Sequence, residues 1–123
     1  MKAFFISLTL ILTILILIGA NFLYISRLSQ DLIEELESAP LPTQDIQAAQ
    51  KADHFKSKWE THKKFIQITV NHTEIDMICN TVDELCVFAK MKKDAEFERA
   101  RRILISTLKN LKESEKLSPT NIL

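Results

Sequence analysis

The sequence predicts an all-α protein in which a single N-terminal transmembrane helix precedes a small antiparallel helical bundle. Three observations predict this class. No charged residue lies between Ala3 and Ile25, and an uncharged apolar run of that length is typical of a membrane span. The chain holds one Gly and three Pro, which is too few for a turn-rich β-domain. Apolar residues after the run recur every three or four positions, the period of an amphipathic helix.

The uncharged run is long enough to cross a bilayer. As a helix, Ala3–Ile25 rises about 35 Å at about 1.5 Å per residue, and a hydrocarbon core is about 30 Å thick. Leu, Ile and Phe cover all of its faces, whereas a core helix of a small soluble domain has a polar face. We therefore assign residues 1–26 to an anchor that contacts the lipid bilayer through Ala3–Ile25.

A cleaved export signal is the alternative to this anchor. Lys2 supplies a minimal positive start, and Ile18-Gly19-Ala20 ends in small residues, as a cleavage site does. However, Ile18 is large for the position three before a cut, and the apolar run exceeds the usual length of about 7–15 residues. The uncleaved anchor is favoured, and a cleaved, secreted helical protein is kept as the alternative.

The cations around the run indicate its orientation. Lys2 and the terminal amine precede it, and after Arg27 the next cation is Lys51. Because cytoplasmic flanks are enriched in Lys and Arg, we expect a cytoplasmic N-terminus. The prediction is a single-pass protein of the cell membrane with an extracytoplasmic C-terminal domain.

Residues 27–123 suffice for one small helical domain. This part holds all sixteen Asp and Glu and fifteen of the sixteen Lys and Arg, a formal charge of −1. Because binding to nucleic acid needs a basic excess, the charge balance excludes nucleic acid as a predicted partner.

Proline and a capping residue bound the first two helices of this domain. The anchor helix is expected to continue over about 27–38. It ends before the segment 38–42, because Pro40 and Pro42 do not fit a helix interior. Thr43 is the expected N-cap of the second helix, over about 43–71.

Capping residues also bound the last two helices. Thr73, with Asp76 in the capping-box position, is the expected N-cap of a third helix over about 74–92, whose last turn carries lysines. Asp94 is the expected N-cap of a fourth helix over about 94–113. Pro119 is expected to end any helix.

An apolar stripe on each helix predicts the core. Because no short helix after the anchor is stable alone in water, the stripes are expected to pack together in an up-and-down bundle. The predicted core residues are Ile25, Leu28, Leu32, Leu36, Ile46, Ala49, Ala52, Phe55, Trp59, Ile66, Val70, Ile75, Ile78, Cys79, Val82, Leu85, Cys86, Ala89, Phe97, Ala100, Ile103, Leu104, Leu108 and Leu111.

The side chains that could carry chemistry do not converge in the sequence. His54 and His62 are about 12 Å apart along a helix, which is not the spacing of a shared metal. Cys79 and Cys86 are about 10.5 Å apart along a helix, too far for a disulfide. We interpret them as small buried hydrophobes, with a metal pair completed by another helix as the alternative. No nucleophile motif or phosphate-binding glycine loop is present, so we predict no enzyme activity, cofactor or metal.

Three residues are candidates for contact with a partner. Trp59 is the only tryptophan and shares the stripe of Phe55 and Ile66. A core or boundary position is therefore the first interpretation and an interface anchor the second. Ile122 and Leu123 form a short apolar tail that can dock on another surface.

Several stretches of the sequence resemble a known family. Trp59 lies within KSKWETHKKF, HTEIDMI follows after a short break, and the chain closes on LSPTNIL. Together with the N-terminal anchor, these stretches resemble the small bacterial family of membrane-anchored helical proteins catalogued as a domain of unknown function, number four-three-six-three. The resemblance implies this layout and a membrane location, and it supplies no catalytic residues.

These observations predict the function in outline. We expect a single-pass membrane-anchored protein that serves as a protein–protein interaction or accessory module at the bacterial cell envelope, with another membrane or envelope protein as its partner. The alternative is an envelope sensor or small-ligand-binding helical domain. Its pocket would lie between helices near Trp59, His62, Cys79 and Cys86.

Overall fold

Four helices make up the part of the chain that the structure describes. In a computed structural model, the backbone is described for residues 1–67 and 70–122, and the side chains for residues 1–67 and 70–113. The helices are α1 (Lys2–Ser38), α2 (Ala48–Ile66), α3 (His72–Lys90) and α4 (Asp94–Ile122). No strand occurs in these ranges, so the predicted all-α class is confirmed.

Helix α1 has two parts with different surroundings. The residues from Met1 to Ala20 are all exposed, and this part is long and apolar enough to cross a membrane. From Ile25 onward the same helix turns one face into the bundle, where Ile25 and Leu32 are fully buried. No break separates the two parts, because the sequence places no Pro before Pro40. The apolar run and the first wall of the bundle are therefore one continuous element.

The other helices pack around this wall in an up-and-down order. Helix α4 packs against α1 and α3, and α2 packs against α3 and only slightly against α1. Helices α1 and α4 run antiparallel, since Lys112 Nζ donates to Gln30 Oε1 at 3.0 Å and Arg101 Nη1 donates to the carbonyl oxygen of Ala39 at 2.5 Å. Trp59 of α2 is buried where it meets α3. The result is an antiparallel bundle with one weakly closed side.

The predicted core is confirmed at most positions and wrong at two. Ile46 is 99 % exposed, because it lies before the start of α2 and not on its buried face. Ile103 is 40 % exposed, because its neighbour Leu104 occupies the interior position of that turn. Ala49 and Cys79 are partly buried against the core. The four stripes otherwise meet in a single apolar cluster.

Helix α2 is shorter than predicted at both ends. It begins at Ala48 after the N-cap Gln47 and ends at Ile66, whereas Thr43 had been expected as its N-cap. The backbone N–H of Thr43 donates to Asp94 Oδ1 at 3.1 Å, and its hydroxyl donates to the other carboxylate oxygen. Thr43 therefore ties the connector to the start of α4 instead of capping α2.

The bounds of α3 also differ from the prediction. Asn71 is the N-cap, and its Oδ1 accepts the N–H of Thr73 at 3.0 Å. Asparagine is among the strongest N-cap residues, so α3 begins before Thr73, which had been predicted as the cap. The helix ends at Lys90. The backbone N–H of Lys92 donates to the carbonyl oxygen of Ala89 at 3.3 Å, and the backbone N–H of Lys93 donates to that of Phe88 at 3.1 Å. These two bonds form a Schellman motif, which stops α3 two residues earlier than predicted.

Helix α4 is longer than predicted. It begins at Asp94 and runs to Ile122, whereas its end had been predicted near residue 113, before Pro119. A proline removes one backbone hydrogen bond and disfavours a helical residue before it. This penalty marks a boundary in many helices, but a long helix can continue through it with a local distortion.

Candidate functional site

Cavities lie on the weakly closed side of the bundle between α1 and α2. Near the end of α1, Leu36 and Pro40 face Gln47, Gln50 and other residues of the α2 side across a cavity of about 330 Å³. We call this cavity the distal groove. Its volume lies within the range of about 300–1,000 Å³ that small-molecule pockets occupy.

Apolar side chains form the floor of the distal groove. Phe55, Leu85 and Phe97 line it from α2, α3 and α4, and all three are buried core residues. Small side chains on α2 leave the space open, because Ala48 and Ala52 stand where longer residues would reach α1. The groove can therefore accept an apolar group without rearrangement of the core.

Ion pairs of a lysine and a carboxylate lie around the groove. Lys51 Nζ donates to Asp45 Oδ2 at 2.7 Å, and this hydrogen bond lowers the pKa of the Asp45 carboxyl. Lys58 Nζ lies 3.2 Å from Glu35 Oε2 on the α1 side. His54 also lines the groove. The arrangement offers polar groups around an apolar floor, a pattern suited to recognition.

The opposite end of the same side joins the bundle to the exposed part of α1. A second cavity lies there between α1 and α2, lined by Leu17 and Asn21 of α1 and by Thr61 and Phe65 of α2, among others. A hydrogen bond joins the Tyr24 hydroxyl to His62 Nδ1. The bond holds α2 beside α1 at the level where the apolar run ends.

Trp59 takes the core position that was its first interpretation. It is 1 % exposed, and its indole N–H donates to the Cys79 sulfur, with Nε1 3.4 Å from Sγ. Burial of the whole ring leaves no face of Trp59 on the surface of this structure. Its role is therefore to join α2 to α3.

The two cysteines are separate and free. Cys79 is partly buried beside Trp59, and Cys86 is buried, with its Sγ 3.4 Å from the carbonyl oxygen of Ala52. His62 faces Tyr24 instead, so the structure does not bring Trp59, His62 and both cysteines around a shared pocket. Burial, together with the nearby Asp53 carboxylate, raises the pKa of the Cys86 thiol to about 11. Within residues 1–67 and 70–113, no group of three His, Cys, Asp or Glu side chains could hold a metal.

The predicted C-terminal contact residues lie at the edge of the described chain. Ile122 is the last residue of α4, and its side chain and Leu123 lie outside the described residues. The distal groove, by contrast, was missed by sequence reasoning. The available signal was the pair of small residues Ala48 and Ala52, one turn apart at the start of α2, which marks a helix face with room beside it.

Comparisons with known proteins give one match. Searches of curated proteins and of solved structures found no match to this chain. A family model described as "Domain of unknown function (DUF4363)" matches residues 21–122. The matched range begins at Asn21, where the exposed part of α1 ends, and includes the remainder of α1 and the helices α2 to α4. The chain therefore belongs to the DUF4363 family, as the resemblance of its sequence had indicated.

Proposed function

We propose that this chain is a single-pass protein of the cell membrane whose bundle serves as a protein–protein interaction or accessory module at the bacterial cell envelope. The observation that carries the proposal is the continuity of α1, which is exposed and uncharged from Ala3 to Ala20 and part of the core from Ile25. Such a helix can hold a folded domain at a membrane without a linker.

The exposed apolar surface of α1 supports the membrane location. Large side chains such as Phe4, Phe5 and Ile16 are more than half exposed, and each square ångström of apolar surface in water costs about 25 cal/mol. The largest apolar patch of a typical soluble monomer covers about 300–600 Å². A helix that is apolar on every face exceeds this limit unless lipid surrounds it.

The compartment of the bundle can be tested directly. Because Lys2 precedes the span and cations are sparse after Arg27, we place the bundle on the outer side. Protease added to whole protoplasts is expected to digest the bundle. Protection of the bundle until the membrane is permeabilised would contradict the outward orientation.

The distal groove is the surface that best fits a partner. Its apolar floor and its charged surroundings match the core and rim of protein interfaces, and its position at the far end of the bundle leaves it clear of the span. An apolar side chain or a helix end of a neighbouring membrane or envelope protein fits there.

A photocrosslinking amino acid placed in living cells tests this assignment. We expect a crosslinker at Gln50, which lines the groove, to yield one dominant protein adduct. The matched control is a crosslinker at Glu84, an exposed residue of α3. Mass spectrometry identifies the adducts. Equal labelling from both positions, or no adduct at Gln50, would contradict the groove as the binding surface.

A small-ligand function is the second candidate, and the volume of the distal groove favours it. A ligand at a concentration of 100 times its Kd stabilises the folded state by about 2.7 kcal/mol. A screen of envelope metabolites by thermal unfolding of the purified chain is expected to detect such a ligand. An unchanged melting temperature across the screen, with a specific adduct at Gln50, would favour the protein partner.

A further inference from the structure

The length of α1 leaves no linker segment between a membrane span and the bundle. The exposed apolar part from Ala3 to Ala20 rises about 27 Å as a helix, and a hydrocarbon core is about 30 Å thick. From Asn21 onward the helix is partly covered by the bundle. The bundle therefore begins at the depth where the hydrocarbon ends.

The last turn of α2 lies at this same depth. Thr61, His62 and Phe65 of α2 line one cavity with Leu17 and Asn21 of α1, so Phe65 lies beside residues that belong to the apolar run. Phe65 is nevertheless 63 % exposed. Phenylalanine is one of the apolar residues, with Trp and Leu, through which helices at a membrane surface insert at the headgroup–acyl boundary.

We propose that the last turn of α2 docks on the phospholipid surface, with the Phe65 ring at the boundary between headgroups and acyl chains. Aromatic rings at this boundary bind through apolar area. Lys63 and Lys64 precede Phe65, and their long stems allow the ammonium groups to reach phosphate while the ring lies deeper. The inference rests on the proposed membrane anchoring and adds a second contact to it.

The contact lies next to the proposed span and does not need anionic lipid. The hydrogen bond between Tyr24 and His62 joins the end of α2 to α1, so this end lies beside the proposed span. Glu74 in the first turn of α3 offsets part of the charge of the two lysines at the same end. The apolar ring is therefore the main source of the interaction, and zwitterionic lipid suffices.

Quenching by brominated lipid tests the proposal with the full chain. The variant Phe65→Trp, in phosphatidylcholine vesicles, places a second indole at the proposed contact, while the buried Trp59 supplies a constant background. We expect brominated acyl chains to quench roughly half of the added emission, because interfacial side chains reach about 5–10 Å into the headgroup–acyl boundary. The matched control is Ile46→Trp, which adds an exposed indole in the connector at the far end of the bundle.

The outcomes separate the docking from the anchoring. Quenching of Phe65→Trp but not of Ile46→Trp, in chain that floats with the vesicles, supports the contact. Flotation with equal, weak quenching of both variants overturns the docking and leaves the anchor intact, with Phe65 then free for a protein partner. Failure to float overturns both proposals. Far-ultraviolet circular dichroism equal to that of the unmodified chain shows that each variant is folded.

Discussion

Trp59 illustrates how a single residue serves this fold. Its ring fills the space between α2 and α3, and its N–H finds an acceptor in the Cys79 sulfur. A buried tryptophan needs such a partner, because an unsatisfied N–H in the core is unfavourable. The helical spacing of Trp59 with Phe55 and Ile66 was enough to predict its burial, whereas its partner on α3 depended on how the two helices meet.

Cys86 is expected to be chemically inert in the folded chain. Burial and the Asp53 carboxylate raise the pKa of its thiol to about 11, so roughly one thiol in a thousand is ionised at pH 8, and the thiolate is the reactive form. Iodoacetamide at pH 8 is expected to leave Cys86 unmodified in the native chain and to modify it in urea. Peptide mass spectrometry checks this. Equal rates in both conditions would contradict the assignment.

Glu98 is expected to make stability depend on pH. Partial burial raises the pKa of its carboxyl, but hydrogen bonds and charges from Arg101 and Arg102 outweigh this effect and lower it. A lowered pKa in the folded state means that the stabilisation is present above the pKa of the unfolded chain and is lost as the pH falls through the folded value. Glu98 therefore makes the free energy of unfolding fall as the pH is lowered on the acid side.

The variant Glu98→Gln tests this. At pH 7 it is expected to lower the free energy of unfolding by about 0.5–1 kcal/mol. The difference from the unmodified chain is expected to decline below the usual carboxyl pKa of about 4 and to vanish only below the lowered pKa of the folded state. Urea titrations in detergent at several pH values measure the effect. Glu84→Gln, on the exposed face of α3, is the control. A difference that persists unchanged at acid pH would argue against an electrostatic origin.

Helix caps decide the element bounds, and Asn71 is the clearest case. Because Asn71 Oδ1 accepts the Thr73 N–H, Asn71→Ala is expected to destabilise the chain by about 1 kcal/mol. Thr73→Ala is the control, and it is expected to have little effect, because Thr73 is the donor through its backbone. Thermal unfolding of the detergent-solubilised chain measures both. A larger loss from Thr73→Ala would restore Thr73 as the cap.

The turn between α3 and α4 contains a position that glycine would suit better than the lysine it holds. Lys92 has a φ of 54°, the left-handed conformation that favours glycine at the C′ position. Lys92→Gly removes a conformational cost of about 1–2 kcal/mol but adds backbone entropy to the unfolded chain, so it is expected to raise stability by about 0.5–1 kcal/mol. Lys93→Gly, one residue later in the same motif, is expected to give no gain. Equal effects of both substitutions in a urea titration would contradict the strain at Lys92.

The elements themselves were predictable and their bounds were not. Four helices follow from local signals, namely the apolar period, the two prolines before Thr43 and the scarcity of glycine. The start of α2 depended instead on Asp94, which lies far along the chain and binds Thr43. Local propensity contains no information about such a contact, so the start of α2 was placed too early.

At the scale of the whole molecule, α1 is expected to keep the chain in the membrane. Alkaline carbonate is expected to leave the protein in the membrane pellet, and detergent to release it, because the exposed apolar run from Ala3 to Ala20 spans about 27 Å. The intact mass of the mature chain is expected to include the anchor. A soluble mature chain that begins near Asn21 would establish the cleaved, secreted form instead. Immunoblots of the wash and the pellet give the partition.

The sequence by itself determined the helical class, the apolar span and nearly all of the core, because periodicity and composition are properties of a single segment. The continuation of the apolar run into a wall of the bundle was also expected from the sequence. Only the tertiary structure decided that the side between α1 and α2 stays open as the distal groove. It also placed Phe65 beside Leu17. These features arise from which faces meet in space, and the energy of such packing depends on pairs of residues far apart in the chain.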